Sequence, residues 1–134
     1  MAKVSGIATS ITLDNSAAAA KVITNDVTSV SISTPRGVQE VTGLDKSAVE
    51  RLILLADGNG TLKGVFNTDA DMSHAVCSTA AATSVARTLA IGYPGATLTM
   101  EVYLTDYQVD RGEDGSLVWT VPFVLQDGTA PAWT

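Results

Sequence analysis

Apolar and polar residues alternate with period two along most of this chain, the spacing of strands that bury one face. The first such stretch, Val4–Leu13, alternates at Ile7, Thr9, Ile11 and Leu13 and is punctuated by Asp14-Asn15 as a turn. Ser16–Thr24 reads either way: Ala17 to Ala20 favour a helix, whereas Val22, Ile23 and Thr24 favour extended structure. Asp26–Thr34 is rich in β-branched residues and stops at Pro35-Arg36-Gly37, followed by a short extended piece over Val38–Val41. Further on, Thr61–Asn67 alternates at Leu62, Gly64 and Phe66, and Ser84–Ile91 at Val85, Arg87, Leu89 and Ile91. Tyr93-Pro94-Gly95 is a turn before the cleanest strand, Ala96–Leu104, which alternates at Leu98, Met100, Val102 and Leu104. The phase slips near Thr105-Asp106, as a bulge or bend would make it. Asp110–Gly115 forms a polar turn, and Ser116–Leu125 alternates at Leu117, Trp119, Val121 and Phe123, with Pro122 in the opposite phase marking an edge or bulge.

Two stretches depart from period two. Lys46–Ala56 places Val49, Leu52, Ile53 and Ala56 on one helical face, with Asp45 as cap and Asp57-Gly58-Asn59-Gly60 as stop, and so predicts a three-turn helix. Asp69–Thr83 can start a second, short helix capped by Asn67, Thr68 or Asp69. No repeat or linker divides the chain. The pattern therefore predicts a mainly β protein: a β-sandwich or open barrel of about seven strands with one flanking α-helix, in a single domain over 1–134.

Composition narrows the function. The chain has 134 residues, 46 % of them apolar, with 14 acidic and 8 basic residues and a net charge of −6. It is poor in charge, and 18 alanines and 17 threonines stand where charge is usual. A phosphate-gripping surface needs clustered Lys and Arg, so a nucleic-acid grip is excluded. The single cysteine, Cys77, rules out a disulfide scaffold, and no apolar run is long enough for a membrane helix. The first twenty residues hold no hydrophobic block of the secretory kind. The negative charge is unevenly spread. Residues 1–100 are nearly balanced, whereas residues 101–134 hold Glu101, Asp106, Asp110, Glu113, Asp114 and Asp127 against Arg111 alone. A solvated rim explains this first; a surface that faces a polyanion without holding it is the sharper reading.

No constellation of catalytic or metal-ligating residues emerges. His74 and Cys77, three residues apart, supply at most two ligands, whereas a structural zinc needs four. His74 beside Ser73 or Asp71 lacks the Gly-x-Ser-x-Gly elbow of a nucleophilic serine. Asp57-Gly58-Asn59-Gly60-Thr61 resembles the start of a calcium loop, but Leu62 and Thr68 stand where glycine and glutamate are required. Asp69-Ala70-Asp71 and Asp110–Asp114 read as cap and turn before they read as metal sites. Catalytic, cofactor-binding and metal residues are therefore expected to be none. Trp119 belongs to the core, and Trp133 either folds back onto its own subunit or inserts into a neighbour.

One resemblance reaches further. Leu52-Ile53-Leu54-Leu55-Ala56-Asp57-Gly58, Gly64-Val65-Phe66-Asn67, Met72-Ser73-His74-Ala75-Val76, Thr105-Asp106-Tyr107, Arg111–Leu117 and Gln126–Thr134 recur in that order. Together they resemble phrases of the major tail tube proteins of long-tailed, non-contractile (siphovirus-type) bacteriophages, especially those of actinobacterial hosts. The resemblance covers about residues 37–134. It implies a non-enzymatic virion protein of β-sandwich or barrel fold that self-associates into homohexameric rings. Those rings stack into a tube that meets other tail proteins, and DNA passes through its lumen without specific binding. It further implies assembly in the host cytoplasm, residence in the tail, and no membrane partner. The rival readings are another virion protein, such as a tail terminator or head-decoration protein, and a small calcium- or carbohydrate-binding β-sandwich module.

Overall fold

A computed structural model describes residues 3–134. In chain order the strands are β1 (Ser10–Asp14), β2 (Ala20–Val22), β3 (Val27–Ser33), β4 (Arg36–Glu40), β5 (Arg51–Ala56) and β6 (Asn59–Val65). A five-residue helix, α1 (Ser73–Cys77), precedes β7 (Arg87–Tyr93), β8 (Ala96–Leu104), β9 (Gln108–Arg111), β10 (Leu117–Leu125) and β11 (Ala132–Trp133). Thr24–Asp26 forms a single 3-10 turn. Nine strands make one antiparallel sheet in the order β2-β1-β7-β8-β10-β6-β3, with β11 added to β8 and β9 to β10. β4 and β5 pair only with each other and stand apart from this sheet.

The alternation read from the sequence is the alternation of burial. On β8, Leu98, Met100, Val102 and Leu104 point inward, and on β10 Trp119, Val121 and Phe123 do the same. Opposite them lie Ile11 and Leu13 of β1, Leu89 and Ile91 of β7 and Leu62 of β6, all buried. α1 brings Val76 and Cys77 to this core, and Ile23, Ala80 and Tyr107 from the connections pack against it as well. The β7–β8 hairpin turns at Tyr93-Pro94-Gly95-Ala96, where Gly95 takes φ +88° as a turn with proline before glycine demands. Pro122 sits where β10 changes partner. Its outer edge pairs with β9 up to Thr120 and with β8 from Phe123, so the missing N–H falls in the gap.

Two buried charges fasten α1 to the sheet. The Asp26 carboxylate accepts the Ser73 backbone N–H (3.0 Å) and the Asn67 amide (2.9 Å). The cap that the sequence placed at Asn67, Thr68 or Asp69 thus comes from a residue far away in the chain. The Arg87 guanidinium donates to the Val76 carbonyl, to Thr79 Oγ1 (2.9 Å) and to the Asp14 carbonyl (3.5 Å). Burial lowers its pKa, partly offset by Cys77 and Asp14. These neutral acceptors satisfy a charge that would otherwise be costly to bury.

The largest correction to the sequence reading concerns Lys46–Ala56. No helix forms there: 42–50 is a loop, and Arg51–Ala56 is β5, paired with β4 through Val38↔Ile53 and Gln39↔Leu52. A four-residue apolar run satisfies both periods, and the proposed helical face left Leu54 and Leu55 on the polar side. β4 supplies the hydrogen-bond partner that settles the choice. Asp57–Gly60 is accordingly no helix stop; β6 already begins at Asn59. The flanking helix exists, but it is α1, and it spans far less than Asp69–Thr83. The strand count rises from about seven to eleven because β5 falls where the spacing predicts a helix and because β2, β9 and β11 are short pieces that periodicity resolves poorly. Ser16–Thr24 divides into a turn and β2.

Candidate functional site

The polar residues singled out from the sequence are occupied by the fold. His74 Nδ1 lies 3.0 Å from the Tyr107 hydroxyl, and its ring packs 4.8 Å from that of Phe66. Ser73 is buried, with its hydroxyl turned to the Val65 carbonyl. Asp71 pairs with Lys21 at 3.3 Å. Asp69 donates its own N–H to Asn67 Oδ1, and Asp57 accepts the Gly58 N–H. Asp114 accepts the Ser116 N–H, which holds its carboxyl below the usual range. Among the described residues no three His, Cys, Asp or Glu side chains converge. The calcium-like start at Asp57 is a strand-to-strand connection. A cleft of about 310 Å³ between Gly6–Ile11 and Val27–Val30 has no titratable side chain in its lining.

Cys77 is fully buried, and that burial pushes its thiol up to about 12 against the lowering pull of Arg87. A thiol reagent should therefore leave native protein unlabelled and react only after denaturation, as absorbance titration would show. The unfolded thiol ionises near 9, whereas the folded one holds its proton until about 12. Stability should thus fall as pH rises through that window, and Cys77→Ala should flatten the decline in thermal midpoint. Tyr107, pushed up to about 12 mainly by burial, adds to the same alkaline slope.

The feature that sequence reasoning missed is the β4–β5 hairpin, an arm of residues 36–56. Leu55 is 90 % exposed, Ile53 62 %, Val38 57 % and Leu52 54 %, and Leu44 and Val49 are exposed in its loop. The signal was present in Leu52–Leu55, four consecutive apolar residues that no single helical face could hide. The arm leaves and rejoins the sheet at one point, where the Asp57 N–H donates to the Pro35 carbonyl at 2.9 Å. A second apolar patch lies on the outward face of the main sheet. Val65 and Val118 are exposed cross-strand partners on β6 and β10, with Val124 further along β10.

Elsewhere the outward face carries hydroxyls: Ser29, Ser31 and Ser33 on β3, Thr97 and Thr99 on β8, Thr12 on β1. Its alternation leaves Lys63 as the one basic side chain pointing outward from the nine-stranded sheet. Of the C-terminal acids, Glu101 lies on β8 and Asp110 on β9, while Asp106, Glu113, Asp114 and Asp127 sit in the connections. Trp133 docks on its own subunit, stacked on Tyr93 with ring centres 6.0 Å apart. The strand that carries it is sealed by paired Thr97 and Thr134 backbone hydrogen bonds at 2.9 Å.

The fold is thus a nine-stranded antiparallel sheet with a separate two-stranded hairpin whose apolar side chains are exposed. Solved structures with this fold include a chain in the tail of an empty gene transfer agent particle refined with C6 symmetry. That chain has a TM-score of 0.79 and 17 % identity, covering 98 % of this chain and 99 % of that one. A chain of the native gene transfer agent virion gives 0.75 at 17 % identity, with the same coverage. A chain of the 6-fold symmetrised anti-feeding prophage baseplate gives 0.67 at 13 %, covering 100 % of this chain and 96 % of that one. At these identities the likeness is one of fold. No protein-family model and no curated protein matches the sequence.

Proposed function

We propose that this chain is a non-enzymatic structural subunit of a virion tail tube, acting as one domain over residues 1–134. Six copies close into a ring, and rings stack into a tube that DNA traverses and that meets other tail proteins at its ends. Assembly takes place in the host cytoplasm. The single observation that carries this reading is the arm, because a free subunit has no use for five exposed apolar strand residues in water. A closed ring is built from heterologous contacts, in which one surface of a copy meets a different surface of the next. Both halves are available here: the arm, and the Val65–Val118 patch with the open edge of β3 beside it. The near absence of basic side chains on the outward sheet suits a wall that DNA slides past. The C6 and 6-fold symmetry of particles holding chains of the same fold supports six copies per ring. The sequence phrases favour a non-contractile tail and an actinobacterial host.

Electron microscopy of the purified chain at rising concentration and salt tests this. Tubes with sixfold end-on views are expected. Monomers persisting under every condition would overturn the proposal.

A further inference from the structure

We propose that Asp57 is a site of spontaneous modification, closing onto the Gly58 nitrogen as a succinimide and reopening in part as isoaspartate. The chain holds three Asp-Gly pairs, Asp57-Gly58, Asp114-Gly115 and Asp127-Gly128, and one Asn-Gly pair, Asn59-Gly60. Glycine, with no Cβ, leaves the nitrogen that must attack uncrowded, so sequence alone makes the three Asp-Gly pairs equivalent. The fold separates them.

At Asp57 the Gly58 N–H donates to the residue's own Oδ1 at 2.7 Å, which sets that nitrogen against the carboxyl carbon one bond beyond. Backbone hydrogen bonds hold it there from both sides. The Asp57 N–H donates to the Pro35 carbonyl at 2.9 Å, and the Gly58 carbonyl accepts the Leu125 N–H at 2.7 Å. Gly58 is buried, whereas Asp57 is exposed and open to water. A peptide nitrogen is a weak nucleophile, and this standing contact supplies the proximity that closure needs. The Gly58 nitrogen bonds to Cγ of the protonated carboxyl, and the carboxyl hydroxyl leaves with the amide proton as water. A second water then adds to either ring carbonyl and breaks its bond to nitrogen. Opening at Cγ restores aspartate; opening at the former main-chain carbonyl leaves the chain running through Cγ.

The other pairs turn the side chain away. Asp114 Oδ1 accepts the Ser116 N–H at 3.0 Å and Asp127 Oδ1 the Thr129 N–H at 3.1 Å, so each skips its glycine. The same bond holds the Asp114 carboxyl below its usual range, and an ionised carboxylate resists attack. Asn59 and Gly60 are paired with β3 and β10 on both sides, which fixes their extended backbone. Asp106 repeats the Asp57 contact with the Tyr107 N–H at 2.8 Å, but there a Cβ and a ring flank the nitrogen.

The site lies where the arm joins the sheet, and the reaction needs only one copy of the chain. Isoaspartate adds a methylene to the main chain between the Pro35 and Leu125 hydrogen bonds. A β-carbon at Gly58 would stand 3.0 Å from Pro131 Cγ, so the added length is taken up on the arm side.

Native protein stored for weeks in heavy-oxygen water at mildly acidic pH tests this. Each cycle of closure and hydrolysis leaves one heavy oxygen in the residue, and fragment-ion mass spectrometry of tryptic peptides locates it. Uptake at Asp57 should exceed that at Asp106, Asp114 and Asp127 at least roughly tenfold, with isoaspartyl methyltransferase labelling the same peptide. In denaturant the three Asp-Gly pairs should take up label at similar rates. Asp57→Glu, which keeps the charge but enlarges the ring to be closed, should lose the uptake. Native uptake at Asp57 no greater than at Asp114 or Asp127 would overturn the proposal. So would an Asp57 preference that survives denaturation, or undiminished labelling of the glutamate variant.

Discussion

Excising the arm over residues 36–56, with Pro35 joined to Asp57 through a short glycine turn, should abolish tube formation and leave a folded monomer. The ends of the arm are already in hydrogen-bond contact, so closure asks for no movement of β3 or β6. Nothing of the buried core is lost, because every strand residue of the arm except Ala56 is exposed. The thermal midpoint should therefore stay within about 5 °C of wild type, equivalent to roughly 1 kcal/mol for a domain of this size. Association should suffer far more. Each half-exposed apolar side chain gains on the order of 1 kcal/mol on docking, so losing five weakens the contact by about a thousandfold or more. Sedimentation velocity reads both outcomes in one experiment, and tubes formed by the shortened chain would refute the role given to the arm.

The largest effect on the fold itself should come from Gly64→Ala. A β-carbon there would overlap the Asp26 carbonyl oxygen and stand 2.7 Å from Trp119 Cζ2. Both neighbours are held. Asp26 belongs to the turn that opens β3 and anchors α1, and the Trp119 indole donates to the Val65 carbonyl at 2.8 Å. Either β3 peels from β6 or the indole leaves its rotamer, and overpacking of this kind costs about 3 kcal/mol or more. Against a total of roughly 5–15 kcal/mol, chemical denaturation should show a large fall in midpoint. Unchanged stability would mean that β3 shifts freely, against the register seen here.

The core was legible because its burial follows period two. Leu98 to Leu104 on β8 and Trp119 to Phe123 on β10 could be assigned an inward face from spacing alone. Arg87 occupied an inward position in the same pattern, yet nothing local announced that its charge would be satisfied by the carbonyls of Val76 and Asp14. The cap on α1 was invisible for the same reason: Asp26 and Ser73 lie 47 positions apart. At the arm the spacing misled. Leu52 to Leu55 fits a helix or a strand, and only the pairing with β4 and the absence of any covering surface distinguish the two. The turn read at Asp114 is present, whereas Asp57 ends a strand instead of a helix and the Ser73 N–H at the start of α1 is capped by Asp26 instead of Asp69.

The placement of the C-terminal acids has one further consequence. Four of the six occupy connections between strands, where all four are exposed. Joining copies of charge −6 crowds like charges within the roughly 8 Å over which physiological salt screens them. Growth of the proposed tube would then recruit counterions from solution. A complex with DNA sheds ions as it forms and is weakened by added salt; this assembly would take ions up and be strengthened by it. Ionic strength would then act as a thermostat on polymer length, set by the chain's acidity and independent of the contacts that hold it together.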